Sequence, residues 1–239
     1  MLFILIVSAV VIAVFAVLLI VYLRAEARND GTIGFVRATG LKLTLSGLFC
    51  AAGIVSYLQL YTVVNVNAPL HIFVLLGLFA GLAGDFFLQY IRLNVKKYTA
   101  GILCFAATQA LFISYLVITG TPDVFGWILT VAITVAVLLC VLALMKKQNW
   151  QLGRERPVLT LYTVLLTFMA ARAVVNMAWQ PSVSAILFAC GAVLFFSSDM
   201  MLGLWNYHSG KRLHANLDWI FYFSGMLLIA FSIMPTLIG

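Results

Sequence analysis

The chain has 239 residues, of which 64% are hydrophobic and 9% are charged, and its net charge is +7. Soluble domains carry roughly 25% charged residues and disordered chains are poor in hydrophobic ones, so both classes are excluded. The apolar runs are about 20 residues long, as membrane helices require, and not the alternating segments of about ten residues that form membrane β-barrels. The sequence therefore predicts an all-α integral membrane protein that is a single domain over residues 1–239.

Eight apolar runs follow one another along the chain, and each is long enough to cross a hydrocarbon core about 30 Å thick. The first run has no basic segment before it, and Arg24 and Arg28 follow it directly, so we interpret it as a retained span and not as a signal peptide. The predicted eight-helix bundle has spans at residues 2–23, 41–64, 69–90, 98–118, 124–145, 157–179, 183–205 and 216–237.

The basic residues are confined to alternate loops. Twelve of the 14 lysines and arginines lie in the first, third, fifth and seventh loops, whereas the loops at 65–68, 119–123 and 180–182 contain none. Because cytoplasmic loops carry the excess of Lys and Arg, the odd loops are predicted to face the cytoplasm and both termini to lie on the other side. We expect a multi-pass protein of the cell (inner) membrane. No basic cluster is dense enough to predict nucleic-acid binding.

The four cysteines lie inside predicted spans and have neither paired nor metal-ligand spacing: Cys50, Cys104, Cys140 and Cys190. They are typical of small packing residues. The sequence therefore predicts no disulfide, no metal site and no cofactor.

Two acids, Asp85 and Asp199, lie inside predicted spans, where a charge near the bilayer centre costs about 2.5–3.5 kcal/mol. Both follow the start of a span of the same direction by 16 residues, so they are expected at one level near the cytoplasmic face. Gly77 and Gly81 precede Asp85 at a spacing of four, and small residues line helix contacts in membranes, so Asp85 is expected to face the bundle interior.

Other polar residues are expected near the same level or on interior faces. Lys42 and Asp218 begin outward-running spans, and Tyr162 lies one turn into the sixth span. Arg172 is placed in the outer half, where it either pairs within the bundle or reaches outward; Lys42 either snorkels to the interface or pairs with an acid. The fourth span carries an interior stripe of Gly101, Phe105, Thr108, Gln109, Phe112 and Tyr115. Tyr98 and Trp150, near span ends, are interpreted as members of an interfacial aromatic belt.

The order of these residues resembles the YhhN family of lysoplasmalogenases. Lys42 begins one span, Gly84–Asp85 ends the next, FAATQALFISY lies in the fourth, and GAVLFFSSD lies in the seventh. The segment YFSGMLLIA resembles the last helix of that family, and the resemblance extends over 40–235. It implies an eight-helix membrane enzyme that hydrolyses the vinyl ether bond of lysoplasmalogens to a fatty aldehyde and glycerophospho-ethanolamine or -choline.

The chemistry agrees with two buried carboxyl groups, because a vinyl ether is opened by proton transfer to carbon and passes through an oxocarbenium ion that an ionised carboxylate stabilises. The resemblance implies that Asp85 and Asp199 are this catalytic pair, and which one is the acid is left open. The residues expected to bind the substrate are Lys42, Gln109, Tyr115, Tyr162, Ser198 and Tyr222.

The chain departs from the family pattern at three positions. Gln109 stands where many members have His, Leu43 where many have Pro, and Met226 where a polar Gln or His is frequent. The loss of polar groups at two of these positions would change the substrate or abolish activity.

Two other classes of function use the same residues. A small-molecule or proton-coupled transporter would employ the aspartates as a proton relay, but it would be expected to have helices broken near the midplane, and no proline lies at mid-span. A membrane protein that binds lysolipid without cleaving it is the other alternative. In each case the expected partners are a lysophospholipid or small molecule and the lipid bilayer; the sequence makes no prediction of oligomeric state.

Overall fold

The computed structural model describes residues 2–27, 32–63, 68–88, 95–120, 123–150, 152–153 and 156–234. These residues are almost entirely helical and include no strand. The helices are α1 (Leu2–Ala27), α2 (Thr32–Val63), α3 (Ile72–Leu88), α4 (Val95–Thr119), α5 (Val124–Lys147), α6 (Arg156–Trp179), α7 (Val183–Leu204) and α8 (Arg212–Phe231). A 3₁₀ turn, Ala68–His71, precedes α3, and a π-helical segment, Trp205–Ser209, follows α7.

The predicted all-α membrane fold is confirmed for seven helices, α2 to α8, which are long and apolar enough to cross a membrane. In α1 the apolar stretch found among the described residues is Val10–Arg24, which is shorter than the other seven, so the eighth span and the orientation of the termini stay predictions. The predicted span ends at 64, 89–90 and 235–237 lie outside the described residues, as do Arg28, Arg92 and Arg154.

Six helices form a closed ring in the order α2, α3, α4, α6, α7 and α8, and α8 returns to contact α2. Outside this ring, α1 packs on α2 and α5 packs on α6. The peripheral position of α5 explains its exposed aliphatic side chains, among them Ile128, Val131 and Leu139. Asp85 and the polar residues that contact it therefore lie in the interior of the six-helix ring.

Glycines of α3 allow α4 to approach closely. A Cβ atom at Gly84 would lie 2.7 Å from the ring of Phe105, and one at Gly77 would collide with Phe112. The predicted interior orientation is confirmed, because Gly77, Gly81 and Asp85 are all buried. The α4 stripe that faces them is buried as well. This packing holds Asp85 at the inner side of α3, where α2 and α8 can reach it.

Arg172 is fully buried in α6, and its Cζ atom lies 4.2 Å from the centroid of the Trp127 ring on α5. Of the two expected alternatives, the side chain therefore stays inside the bundle and does not reach outward. A guanidinium over an indole face is a favourable cation–π arrangement. Arg172 lies ten residues, about 15 Å, beyond Tyr162 along α6, so it belongs to a different level of the bundle.

Candidate active site

Asp85 is 1% exposed and both of its carboxylate oxygens have partners inside the fold. Oδ1 lies 3.2 Å from Nζ of Lys42, while Oδ2 accepts hydrogen bonds of 2.6 Å from the Ser46 hydroxyl and of 2.6 Å from the Tyr222 hydroxyl. These partners come from α2 and α8. The carboxylate charge is thus balanced, and the group ties three helices together.

Aromatic rings hold the Tyr222 side chain against Asp85. The rings of Phe49, Phe105 and Phe195 contact the Tyr222 ring edge-on, with centroid distances of 6.2, 5.8 and 5.5 Å. Edge-to-face packing restricts the orientation of an aromatic ring. The hydroxyl of Tyr222 is therefore aimed at Asp85 by packing on three neighbouring helices.

Asp199 is placed differently, at the wall of a cavity of about 70 Å³ that is partly open and lies among α4, α6 and α7 and the end of α5. The Tyr162 hydroxyl donates a hydrogen bond to Oδ2 of Asp199. Most of the remaining lining is apolar, including Leu88, Ile102, Phe105, Met145, Leu159 and Leu166. Asp199 is thus a carboxyl group that faces a mainly apolar space, whereas Asp85 does not line that space.

Three aromatic residues close one side of this cavity. The Trp150 ring stacks on Tyr207 with a centroid distance of 6.5 Å, and the Tyr207 hydroxyl lies 2.6 Å from that of Tyr98. Trp150 also rests on Gly203 so closely that a Cβ atom there would collide with the indole. The interpretation of Tyr98 and Trp150 as belt residues is therefore wrong: both line the cavity, and Tyr98 is only 5% exposed.

Two buried polar side chains adjoin Asp199 and Tyr162. Gln109 of α4 comes near the Tyr162 hydroxyl, and Ser198 immediately precedes Asp199. Both are almost completely buried, and within the described residues neither the amide atoms of Gln109 nor the Ser198 hydroxyl has a hydrogen-bond partner. Buried polar groups are normally paired, so these three atoms are exceptions among the described residues, and they lie beside the cavity wall without lining the cavity.

Asp218, in the second turn of α8, is a buried polar residue that we did not predict as a site residue from the sequence. It is 7% exposed, lies near the Ser198 hydroxyl, and interacts electrostatically with Asp199, Lys42 and Asp85. Asp218 does not line the cavity that Asp199 lines.

Tyr115 is the predicted site residue that the structure does not bring to this end of the bundle. Its hydroxyl lies 3.1 Å from Nε2 of His71, just before α3 begins, whereas Asp85 lies 14 residues, about 20 Å, further along the chain. Tyr115 lines a second cavity, of about 320 Å³, with residues such as Asn176 and Phe188. The other predicted residues lie in the Asp85 cluster or beside Asp199.

The chain matches the YhhN family over residues 46–233. The matched segment contains every predicted site residue except Lys42, which precedes it, and it also contains Asp218. Neither a curated protein nor a solved structure matches the chain. Because the matched segment makes up well over half of the chain, and agrees with the resemblance seen in the sequence, this protein belongs to the YhhN family.

Proposed function

We propose that this protein is a lysoplasmalogenase-type membrane hydrolase, which converts a lysoplasmalogen to a fatty aldehyde and glycerophospho-ethanolamine or -choline. The observation that carries the proposal is the position of Asp199, a carboxyl group hydrogen-bonded to Tyr162 at the wall of a mainly apolar cavity. Apolar walls accept the vinyl ether end of an alkenyl chain, and the carboxyl group supplies the proton that the reaction needs.

In the proposed reaction the carboxylic acid of Asp199 protonates the vinyl carbon that is not bonded to oxygen. The product of this step is an oxocarbenium ion, with the Asp199 carboxylate beside it. Water then adds to the carbon that bears the oxygen and returns a proton to the carboxylate, which gives a hemiacetal. The hemiacetal collapses to the aldehyde and the alcohol, so the reaction consumes one water molecule and involves no redox change. Apolar surroundings in general disfavour a charged carboxylate, as for the acid of glycoside hydrolases.

The residues around Asp199 are assigned the other roles in the proposed reaction. Tyr162 orients the Asp199 carboxyl group through its hydrogen bond. Gln109 and Ser198 do not line the cavity, but their buried polar atoms have no partner within the described residues and adjoin Tyr162 and Asp199, so we assign to them an ordered water that attacks from beside Asp199. Lys42 is bonded to Asp85, so we assign this pair to the architecture of the site and not to binding of the substrate phosphate.

We place the site on the cytoplasmic side. Exposed lysines surround the end of the bundle at which Asp199 lies, with Lys96 at the start of α4, Lys147 at the end of α5 and Lys211 before α8. Because basic residues are retained in the cytoplasm, both termini then lie outside. In a variant whose four native cysteines are replaced, labelling of one cysteine introduced at Lys147 from the inside, and of one at Gln180 from the outside, tests this orientation; the reverse pattern overturns it.

A hydrolase fits the helices better than a transporter does. Transporter sites are frequently built where helices are broken, whereas α3, α4 and α6 are continuous α-helices and α7 is continuous through Asp199. A protein that binds lysolipid without cleaving it would have the same cavity. Only turnover distinguishes this alternative from an enzyme.

The experiment is release of fatty aldehyde from a 1-alkenyl lysophospholipid by the purified protein in detergent. The saturated 1-alkyl analogue is the substrate control, because it has no double bond to protonate. Asp199→Asn is expected to abolish release, while Asp123→Asn, at the start of α5, is the matched control and remains active. If the wild type cleaves no alkenyl lysolipid, the proposed function is rejected; if Asp199→Asn is fully active, the role of Asp199 is rejected.

A further inference from the structure

The second cavity, of about 320 Å³, lies among α4, α6 and α7 at the end of the bundle opposite to Asp199. Asn176 at its wall follows Tyr162 by 14 residues, about 21 Å along α6, and the two cavities share no lining residue. Sites for small molecules in proteins have volumes of about 300–1,000 Å³. The second cavity therefore has room for a bound molecule, and the proposed reaction gives it no role.

The polar side chains of this wall present mainly oxygen acceptors. Thr119 of α4, Asn176 of α6 and Ser184 of α7 all line the cavity. Each of them donates a hydrogen bond to a backbone carbonyl oxygen of the fold, Thr119 at 2.8 Å, Asn176 through Nδ2 at 2.8 Å and Ser184 at 2.5 Å. A hydroxyl group has one donor and two acceptor positions, so both hydroxyls have only lone pairs left for a ligand.

Oδ1 of Asn176 is the acceptor that most clearly needs a partner. Asn176 is 8% exposed, and within the described residues this oxygen accepts no hydrogen bond. Buried polar atoms are normally paired, with protein or with a bound molecule. A ligand of this cavity is therefore expected to be a hydrogen-bond donor.

The charge of Arg172 limits what this donor is. A Cβ atom at Gly120 would lie 2.5 Å from Oδ1 of Asn176 and 2.7 Å from Nη2 of Arg172, so the guanidinium adjoins the same point as the acceptor. Because arginine keeps its positive charge in proteins, it repels a cationic donor such as an ammonium group. An anion is disfavoured by the lone pairs of the wall, and Arg172 is not among the described residues that line the cavity. The ligand is thus an uncharged donor.

Apolar groups complete the wall and favour a ligand with aliphatic carbons. Leu116 and Ala173 line the cavity, and the Phe188 ring is stacked on that of Tyr115 with a centroid distance of 5.6 Å. A polyol matches both kinds of surface, because its hydroxyl groups donate and its carbon atoms pack. Exposed residues of the loop between α6 and α7 also line the cavity, so a ligand can enter from this end of the bundle: Gln180, Pro181 and Ser182.

We infer that the second cavity is a binding site for an uncharged polyhydroxyl unit of the glycerol type, either a free polyol or the head of a neutral lipid. Thr119, Asn176 and Ser184 accept its hydroxyl hydrogens, one residue from each of the three helices. The site is independent of the proposed hydrolysis, so it is expected to persist in Asp199→Asn.

The test is binding of 1-O-octylglycerol to the purified protein, counted by native mass spectrometry. The expected result is saturable binding of one molecule at this site. The 2,3-di-O-methyl ether of the probe has the same chain without a donor, and octylammonium replaces the hydroxyls by a charge. Each analogue loses at least one hydrogen bond or gains a repulsion, so we expect each to bind at least about fivefold more weakly. Equal binding of either analogue overturns the assigned chemistry.

Variants of the wall separate this site from the cavity at Asp199. Asn176→Leu and Thr119→Val each remove an acceptor and are expected to weaken binding at least about fivefold. Thr130→Val is the matched control, because Thr130 makes the same kind of hydrogen bond to its own helix but does not line the cavity. Thr119→Val keeps the test open if Asn176→Leu does not fold. Unchanged binding in a folded variant of either wall residue overturns the inference.

Free glycerol distinguishes the two sources of the polyhydroxyl unit. If glycerol displaces the probe, the free polyol is sufficient for binding; if the probe resists glycerol but depends on Asn176 and Thr119, the ligand is the head of a neutral lipid. Absence of saturable binding by both compounds means a water-filled cavity only and overturns the inference. Binding by a protein that releases no aldehyde rejects the proposed function and leaves this site standing.

Discussion

Nζ of Lys42 lies 3.2 Å from Oδ1 of Asp85, and this ion pair joins α2 to α3 inside the bundle. Removing one member of a buried pair leaves an uncompensated charge and costs about 3–5 kcal/mol, whereas removing both members costs far less. We therefore expect Asp85→Asn and Lys42→Met each to lower the melting temperature in detergent strongly, and the double variant to recover much of the loss.

The same variants separate a structural carboxylate from a catalytic one. Because Asp85 does not line the cavity, the folded fraction of Asp85→Asn should retain most of the wild-type kcat, unlike Asp199→Asn. Additive destabilisation by the two single changes would contradict the pairing. If fully folded Asp85→Asn loses kcat, Asp85 takes part in the reaction.

Tyr162→Phe removes the hydrogen bond to Asp199 and preserves the ring. Hydrogen bonds to charged groups contribute about 1.5–3 kcal/mol, so we expect kcat to fall at least tenfold with little change in KM. Tyr222→Phe is the matched control, because its hydroxyl donates to Asp85 instead and its loss should lower stability more than kcat. Both proteins are compared by steady-state kinetics and thermal unfolding. A larger loss of kcat in Tyr222→Phe than in Tyr162→Phe would contradict the role assigned to Tyr162.

Gln109→Leu replaces a buried amide, which has no hydrogen-bond partner in the described part of the chain, by an apolar side chain of similar size. The partner proposed for the amide is a water and leucine needs no partner, so the variant should be about as stable as the wild type. It should also be about tenfold slower, because the attacking water is no longer oriented. A variant that is less stable and equally active would show that Gln109 serves the fold and not the reaction.

Gly203→Val is expected to displace Trp150 from the cavity wall, because no Cβ atom fits between them. Overpacking of this kind costs about 1–3 kcal/mol, and we expect a higher KM for the alkenyl lysolipid. Trp150→Ala makes room for the new side chain, so the double variant should recover stability relative to Gly203→Val alone. Unfolding midpoints and KM are measured for the wild type, the two single variants and the double variant. If the effects of the two substitutions on stability are additive, the contact between Gly203 and Trp150 is not supported.

The spacing of residues along one helix predicted which face of that helix is buried. It did not predict which residues pack against that face, because those belong to other helices. The spacing of Gly77, Gly81 and Asp85 was sufficient to turn Asp85 inward, since it depends on one helix only. It did not indicate that Lys42 and Tyr222 would occupy both carboxylate oxygens, because that depends on α2 and α8 lying beside α3.

The depth of a residue in the bundle could be predicted because it depends on one helix only. The contacts of that residue could not, because they depend on how several helices pack. Counting residues from the span ends placed Asp199, Asp218 and Tyr162 at one end of the bundle, where the structure has them. Tyr115 lies on the same face of α4 as Gln109, but it is six residues, about 9 Å, further along the helix. It therefore lies toward the end of the bundle opposite to Asp199. Asp218 was predicted at this level but was not included among the site residues, because its position near Ser198 depends on how α8 packs on α7.

Gly191 of α7 packs closely against Gly225 of α8, and this contact sets a length requirement on the site. One residue inserted between Gly191 and Ser198 would rotate everything beyond it by about 100° around α7, which would turn Asp199 away from Tyr162 while the glycine contact stayed in place. A relative that keeps this chemistry should therefore preserve the eight-residue separation between Gly191 and Asp199 of α7, even where the intervening side chains differ.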